Sequence, residues 1–275
     1  MNDTFSITIP KVRLQMLITA ALTAVLAAFL YSARPLGDCI IISVGISLAA
    51  AAIFNICQAC EQGNLTSITA ALLLAFSPFM TEIAILNPYL PIISAIAFWA
   101  FSLWVRALFA HNAKFWLPVA AIAAPISLLA IFYCLANPTI MNTIGFSTSF
   151  PMPTTERPYF AFAKISASSY DKGFPVAVGY LTLLLAPFGL YKLNLNTALA
   201  LATAGLFAVA GLDKPLLNTP PAIWAIFAVF IASFLAARTA ANIGLFMENR
   251  FQVRPFWLSV LPILETITIT YLITY

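Results

Sequence analysis

This sequence predicts an all-α, polytopic bundle of transmembrane helices. Of its 275 residues, only 8% are charged and 62% are hydrophobic. Nine stretches, each about 18–22 residues long, carry almost no charge. A soluble domain needs a charged exterior, whereas about 20 apolar helical residues cross a hydrocarbon core about 30 Å thick. The composition therefore excludes a soluble globular protein and predicts a multi-pass membrane protein.

The nine apolar stretches are the predicted spans. Their apolar runs are continuous, without the period-two alternation of membrane barrel strands, so they are predicted to be helices. The first run is longer than a signal-peptide core of roughly 7–15 residues, which favours an uncleaved anchor. The boundaries leave the count between eight and ten. In chain order the spans are 14–31, 39–57, 68–86, 89–109, 115–136, 174–191, 195–212, 220–237 and 256–275.

Lysine and arginine residues orient the bundle, because they concentrate on the cytoplasmic side of membrane proteins. Eight of them fall on the inner side if the N-terminus is inside, and five fall on the outer side. This bias favours an N-in/C-out protein of the inner cell membrane. The net charge of +4 reflects the same bias and gives no reason to expect nucleic-acid binding. The inner set is Lys11, Arg13, Arg106, Lys114, Lys192, Arg238, Arg250 and Arg254, and the outer set is Arg34, Arg157, Lys164, Lys172 and Lys214.

The chain divides into a membrane block of five spans (1–136), an extracytoplasmic loop (137–173) and a membrane block of four spans (174–275). Aromatic residues in the loop favour packing against the bilayer surface, a cavity mouth or another subunit, although a plain connector also fits. Small residues at every fourth position predict close helix packing, within the bundle or against partner subunits. The last of these stripes also predicts a helix that continues past Arg238 to about Met247. The stripes are Ala20, Ala24 and Ala28; Ala200, Ala204 and Ala208; and Ala232, Ala236, Ala240 and Gly244.

Two glutamates inside predicted spans are the main candidates for function, because ionisable groups in a bilayer are energetically expensive. Glu82 follows Pro78 by four residues, and Glu265 follows Pro262 by three. Each carboxylate is therefore predicted to lie on the side where proline has freed a backbone carbonyl. We expect Glu265 near the midplane and Glu82 nearer the outer face. Either could couple transport to a proton or cation, or could be a structural group paired with another helix.

Arg106 and Arg238, at inner ends of spans, could contact an anionic head group, or could simply extend to the interface. No cofactor or metal site is predicted. Cys57 and Cys60 form a CxxC pair without a second Cys or His pair nearby, which is weak support for redox or metal chemistry. Cys39 and Cys134 lie at outer span ends, where a disulfide is chemically possible. Two buried apolar cysteines would give the same pattern.

The segment AAAIFNICQACEQGN, together with nine helices and a length near 280, resembles the layout of UbiA-type intramembrane prenyltransferases. Asn55 stands where that family begins its first aspartate-rich motif. The aspartates that hold magnesium and diphosphate in the family are missing here. The resemblance therefore implies a shared layout, and no family site residue is carried over.

Three functional classes fit this sequence. The first is a small-solute or ion transporter that uses a membrane-embedded glutamate, favoured by the glutamates and the proline-broken spans. The second is an integral-membrane enzyme that acts on a lipid-linked substrate through Arg106, Arg238, Glu61 and Asn55. The third is a non-catalytic subunit of a larger membrane complex, bound through the 137–173 loop or the small-residue faces. The sequence does not identify a substrate.

Overall fold

A computed structural model of the chain describes residues 11–86, 88–109, 178–209, 221–251 and 256–274. Within these ranges the secondary structure is entirely helical, with nine α-helices and one 3₁₀ helix. The first block contains α1 (Lys11–Leu30), α2 (Leu36–Ala59), α3 (Asn64–Ala75), α4 (Pro78–Leu86) and α5 (Leu90–Phe109). The second contains α6 (Tyr180–Leu185), the 3₁₀ helix (Ala186–Leu190), α7 (Leu195–Val209), α8 (Pro221–Phe251) and α9 (Phe256–Thr274).

Two helices in the described ranges are long and apolar enough to cross a bilayer, namely α2 and the Ile226–Arg250 part of α8. Helices α3 and α4 together form a third candidate span, bent by 41° at the break between them. The remaining described helices are apolar but shorter. These helices indicate a membrane protein, while the count of nine spans and the N-in orientation stay predictions. The predicted span 115–136 and loop 137–173 lie outside the described residues.

Two helical segments of the second block differ in length from the predicted spans 174–191 and 220–237. Within the described part of span 174–191, which begins at Val178, the helical residues run from Tyr180 to Leu190, and the last five of them form a 3₁₀ helix. Pro187 removes one backbone donor from this segment. A Cβ atom on Gly189 would lie 2.3 Å from the Leu235 carbonyl oxygen, so this turn of backbone lies directly against α8. In contrast, α8 extends past Arg238 as predicted and ends at Phe251.

Helix α2 lies at the centre of the first block and packs against α1, α3 and α5. Aromatic rings join this block to the second. Phe98 and Phe101 of α5 contact Phe227 and Phe230 of α8, with ring centroids 5.6–6.0 Å apart. Phe207 of α7 stacks on Phe227 at 5.2 Å. Such ring pairs stabilise packing beyond their buried area, so this cluster fixes α5, α7 and α8 together.

The small-residue stripes are buried on α7 and α8 but not on α1. Ala28 is exposed, and the buried face of α1 is offset by one residue from the predicted stripe. It carries threonines whose hydroxyls bond to carbonyls one turn earlier, from Thr19 to Gln15 at 2.8 Å and from Thr23 to Thr19 at 2.7 Å. A threonine satisfied in this way is small and apolar enough for a helix interface. The buried residues are Thr19, Thr23 and Ala27 on α1, Ala200, Ala204 and Ala208 on α7, and Ala236, Ala240 and Gly244 on α8.

The closest approach in the first block is between Gly45 of α2 and the start of α5. A Cβ atom at Gly45 would lie 2.6 Å from the backbone nitrogen of Ile92 and 2.8 Å from the carbonyl carbon of Pro91. Both neighbours are backbone atoms, which cannot move aside as the end of a side chain could. Glycine at this position therefore sets the distance between α2 and α5.

Gly45→Ala should destabilise the protein by about 1–3 kcal/mol, the usual effect of forcing an extra methyl group into a packed interior. Gly37→Ala is the matched control in the same helix, since a Cβ atom there meets nothing within 4 Å. Alanine is the better helix former, so the control should be neutral or stabilised by about 0.5–1 kcal/mol. Thermal unfolding in detergent measures both. Equal melting temperatures for the two variants would contradict the close approach.

Candidate functional site

The break between α3 and α4 is made by Ser77 and Pro78. Pro78 is the first residue of α4, a position where a missing N–H does no harm. The Ser77 hydroxyl accepts the N–H of Met80 at 3.1 Å and donates to the carbonyl of Leu74 at 2.8 Å. One side chain therefore caps the start of α4 and also satisfies a carbonyl at the end of α3.

Helix α9 supplies a further partner to this break. The Thr270 hydroxyl donates to the Phe76 carbonyl at 2.7 Å and lies 3.0 Å from the Thr81 hydroxyl. All three residues are buried. A carbonyl at a break in a bilayer must find a donor within the protein. Thr270 provides that donor from a helix 194 residues further along the chain.

Glu82 lies next to Thr81 and is 6% exposed. The Tyr31 side chain, at the end of α1, hydrogen-bonds with Thr81, and both Glu82 and Arg34 act electrostatically on Tyr31. Polar groups from the α1–α2 turn, the α3–α4 break and α9 thus meet at the predicted outer end of the bundle. We call this set the break cluster; its members are Tyr31, Arg34, Ser77, Thr81, Glu82 and Thr270.

Of the break cluster, only Glu82 was predicted from the sequence as a site residue. Ser77 stands directly before Pro78, and a serine before a first-turn proline is a recognisable helix-start signal. Tyr31 and Thr270 lie far from Glu82 in the chain, and no local pattern marks them.

Glu265 occupies a different environment from Glu82. Its two carboxylate oxygens each accept one backbone N–H at the start of α6, from Tyr180 at 2.8 Å and from Leu181 at 2.9 Å. The first N–H groups of a helix have no partner within it, and a carboxylate is a strong acceptor for them. Glu265 therefore caps α6 from α9, across 85 residues of sequence.

Gly179 makes this cap possible. Its φ angle is +84°, a region that residues with a Cβ atom rarely adopt. A Cβ atom there would also lie 3.1 Å from Oε2 of Glu265 and 3.2 Å from Cγ2 of Thr266. Glycine thus lets the chain turn into α6 directly against the carboxylate.

The two predicted head-group arginines lie in separate polar sets. Arg106 donates to the Asn55 side-chain oxygen, and the Asn55 amide nitrogen donates to the Ser102 hydroxyl at 2.6 Å. This set joins α2 to α5. Arg106 is exposed, whereas Asn55 and Ser102 are buried. The guanidinium is therefore anchored to the bundle through a buried amide.

Arg238 lies near the loop that follows the 3₁₀ helix. It donates to the Lys192 carbonyl at 2.6 Å and makes longer contacts of 3.4 Å with the Tyr191 carbonyl and with Oε1 of Gln62. Gln62 in turn reaches Thr197, at the start of α7, at 3.3 Å. Arg238 thus ties the loop, α7 and the end of α2 to α8.

The CxxC pair is placed unfavourably for thiol chemistry. Cys57 and Cys60 are free thiols and both are buried. Cys60 follows the last residue of α2, where burial and the neighbouring Glu61 raise the pKa of its thiol to about 12. Reactive and metal-binding cysteines need an accessible thiolate. Cys39 is also a buried free thiol, and its sulfur lies 3.5 Å from the Ala28 carbonyl; Cys134 lies outside the described residues.

No protein-family model matches this chain, and neither the curated proteins nor the solved structures compared with it include a significant match.

Glu265→Gln should destabilise the protein by about 1–3 kcal/mol. The amide keeps only one acceptor oxygen, so one of the two N–H groups at the start of α6 is left without a partner in an apolar environment. Glu248→Gln is the control, because Glu248 is exposed on α8. Thermal unfolding in detergent compares the two. If the Glu265→Gln variant and the wild type have the same melting temperature, the carboxylate does not stabilise the start of α6.

Proposed function

We propose that this membrane protein is a small-solute or ion transporter and that Glu82, in the break cluster, is its coupling carboxylate. The observation that carries this proposal is a 94%-buried glutamate directly beside a helix break that divides a candidate span. Transporters commonly place their substrate and coupling-ion sites at such discontinuous helices.

The burial of Glu82 is itself an argument for function. A carboxylate inside a bilayer protein is expensive when ionised, so it is kept where it carries a proton or binds a cation. The break cluster also contains the hydroxyl groups of Tyr31, Thr81 and Thr270, and a hydroxyl group can donate to an ionised carboxylate or accept from a protonated one. In the proposed cycle, these hydroxyl groups exchange partners when the charge of Glu82 changes.

The helix break next to the break cluster allows the angle between α3 and α4 to change. At the break between α3 and α4, side-chain hydrogen bonds of Ser77 and Thr270 supplement the backbone bond from the Ser77 N–H to the Leu74 carbonyl. Such side-chain bonds can exchange partners without opening a helix, and this is how broken helices pivot in alternating access. In the proposed cycle, a change in the charge of Glu82 alters these bonds and shifts the angle between α3 and α4.

Glu265 has a different part in this proposal. Its two oxygens already accept backbone N–H groups of α6, so it acts as a fixed brace between α9 and α6. A role for Glu265 in ion coupling stays a prediction. The Glu265→Gln variant therefore tests a contribution to stability, and the Glu82→Gln variant tests coupling.

Charge movement in proteoliposomes adsorbed to a solid-supported membrane tests the proposal. The probes are a pH jump alone and then additions of Na⁺, K⁺, amino acids or sugars under a pH gradient. We expect at least one probe to evoke a proton-dependent current. Glu82→Gln should lower it roughly tenfold or more, the factor produced by about 1.4 kcal/mol of lost coupling energy.

Glu61→Gln is the matched control, since it removes the same charge from an exposed residue after α2. Its current should equal that of the wild type. Thermal unfolding of all three proteins establishes that the Glu82 variant is folded. A wild-type protein silent to every probe, or a folded Glu82→Gln protein with unchanged proton dependence, overturns the proposal.

A second candidate is an integral-membrane enzyme that acts on a lipid-linked substrate. The specific observation in its favour is the anchored guanidinium of Arg106 on Asn55 and Ser102. Such a group is held ready for a phosphate or carboxylate. Turnover of a polyprenyl-linked phosphate by the purified protein, abolished by Arg106→Gln and unaffected by Glu82→Gln, would favour this candidate over the transporter.

A further inference from the structure

An apolar groove runs along the outside of α8, between this helix and the segment that contains the 3₁₀ helix. Its volume is about 640 Å³, and it is open along one side. Phe188, Leu190 and Phe246 line it and are each more than half exposed. Its polar atoms come from few residues, among them Asn242 and Thr239, and Asn242 is exposed.

Two cationic residues lie next to this groove. Arg238 immediately precedes the lining residue Thr239, and it donates to the Lys192 carbonyl at 2.6 Å and contacts the Tyr191 carbonyl at 3.4 Å. The Lys192 ammonium lies 5.2 Å from the centroid of the Tyr191 ring, which itself lines the groove. Both cationic residues are therefore close to Tyr191, at the edge of the groove.

Neither cation is neutralised by the part of the chain that the structure describes. The bonds of Arg238 go to two carbonyls and one amide oxygen, and its Nε atom is buried without a hydrogen-bond partner. Lys192 interacts with an aromatic ring. A partly buried guanidinium and an ammonium at the edge of an apolar region call for an anionic partner.

We propose that this groove binds one anionic phospholipid, with an acyl chain against Phe188, Leu190, Ile243 and Phe246 and the phosphate between Arg238 and Lys192. Charge complementarity selects this occupant. A zwitterionic lipid brings its own cation to the site, whereas a free anion leaves the apolar walls uncovered. The arrangement of an apolar wall with cations at its edge matches a single amphiphile with one negative head group.

The lipid site is independent of the break cluster. It lies on α8 and the segment after α6, whereas the break cluster is formed by the α1–α2 turn, the α3–α4 break and α9. Lipid binding can therefore succeed or fail without bearing on transport.

Native mass spectrometry of the full chain tests this site, with dioleoyl phosphatidylglycerol or dioleoyl phosphatidylcholine added to the detergent. We expect the wild type to retain one phosphatidylglycerol in preference to phosphatidylcholine. Lys192→Gln should weaken phosphatidylglycerol binding roughly tenfold, because one charge-assisted contact to phosphate is lost. Ile243→Trp keeps both charges and fills the groove, so it should weaken binding of both lipids.

Arg250→Gln is the matched control, because it removes one positive charge from the same helix about 18 Å beyond Arg238, at 1.5 Å per residue. Its lipid retention should equal that of the wild type. Both test substitutions lie at exposed side chains, so loss of folding does not obscure the result. Equal retention of the two lipids by the wild type overturns the proposal. So does unchanged binding in both Lys192→Gln and Ile243→Trp.

Discussion

Backbone groups at helix ends must find hydrogen-bond partners inside the protein, and this constraint governs the described structure more than any other. In a bilayer no water is present to satisfy them. A chain with so few polar side chains has to place each one where an end needs it. Thr270 reaches the Phe76 carbonyl directly after α3, Glu265 reaches the first N–H groups of α6, and Arg238 reaches the carbonyls after the 3₁₀ helix. Of these three residues, Glu265 and Arg238 were also the sequence-based candidates for function.

This double use of polar groups separates the two glutamates. Both are carboxylates near a proline in an apolar helix, and the sequence distinguishes them only by depth, with Glu265 expected near the midplane and Glu82 nearer the outer face. The structure gives Glu265 two backbone donors with good geometry, which makes it a helix cap. Glu82 is instead buried next to Thr81, whose hydroxyl lies against that of Thr270. The two carboxylates therefore differ in their surroundings, and the backbone partners of Glu265 give it a structural role.

Local features of the fold could be predicted from sequence, and features that join distant segments could not. The apolar runs, the break at Pro78 and the extension of α8 past Arg238 depend on composition or on neighbouring residues, and the structure contains all three. The close approach of the 3₁₀ helix to α8 depends on Gly189 lying against Leu235, and the capping of α6 depends on Glu265, 85 residues away. For the candidate site, Glu82 was identified by its charge. Tyr31 and Thr270 were not, because a hydroxyl in an apolar helix is common and carries no positional signal.

The cap on α6 also has a consequence for biosynthesis. A ribosome makes Tyr180 well before Glu265, so α6 enters the membrane with its first N–H groups unsatisfied. During that interval α6 can already pack against α8, which is made before α9, and the Thr239 hydroxyl of α8 can donate to the Leu185 carbonyl. The cap itself forms only once α9 has been made, so the start of α6 reaches its final set of hydrogen bonds later than the end of α6 does.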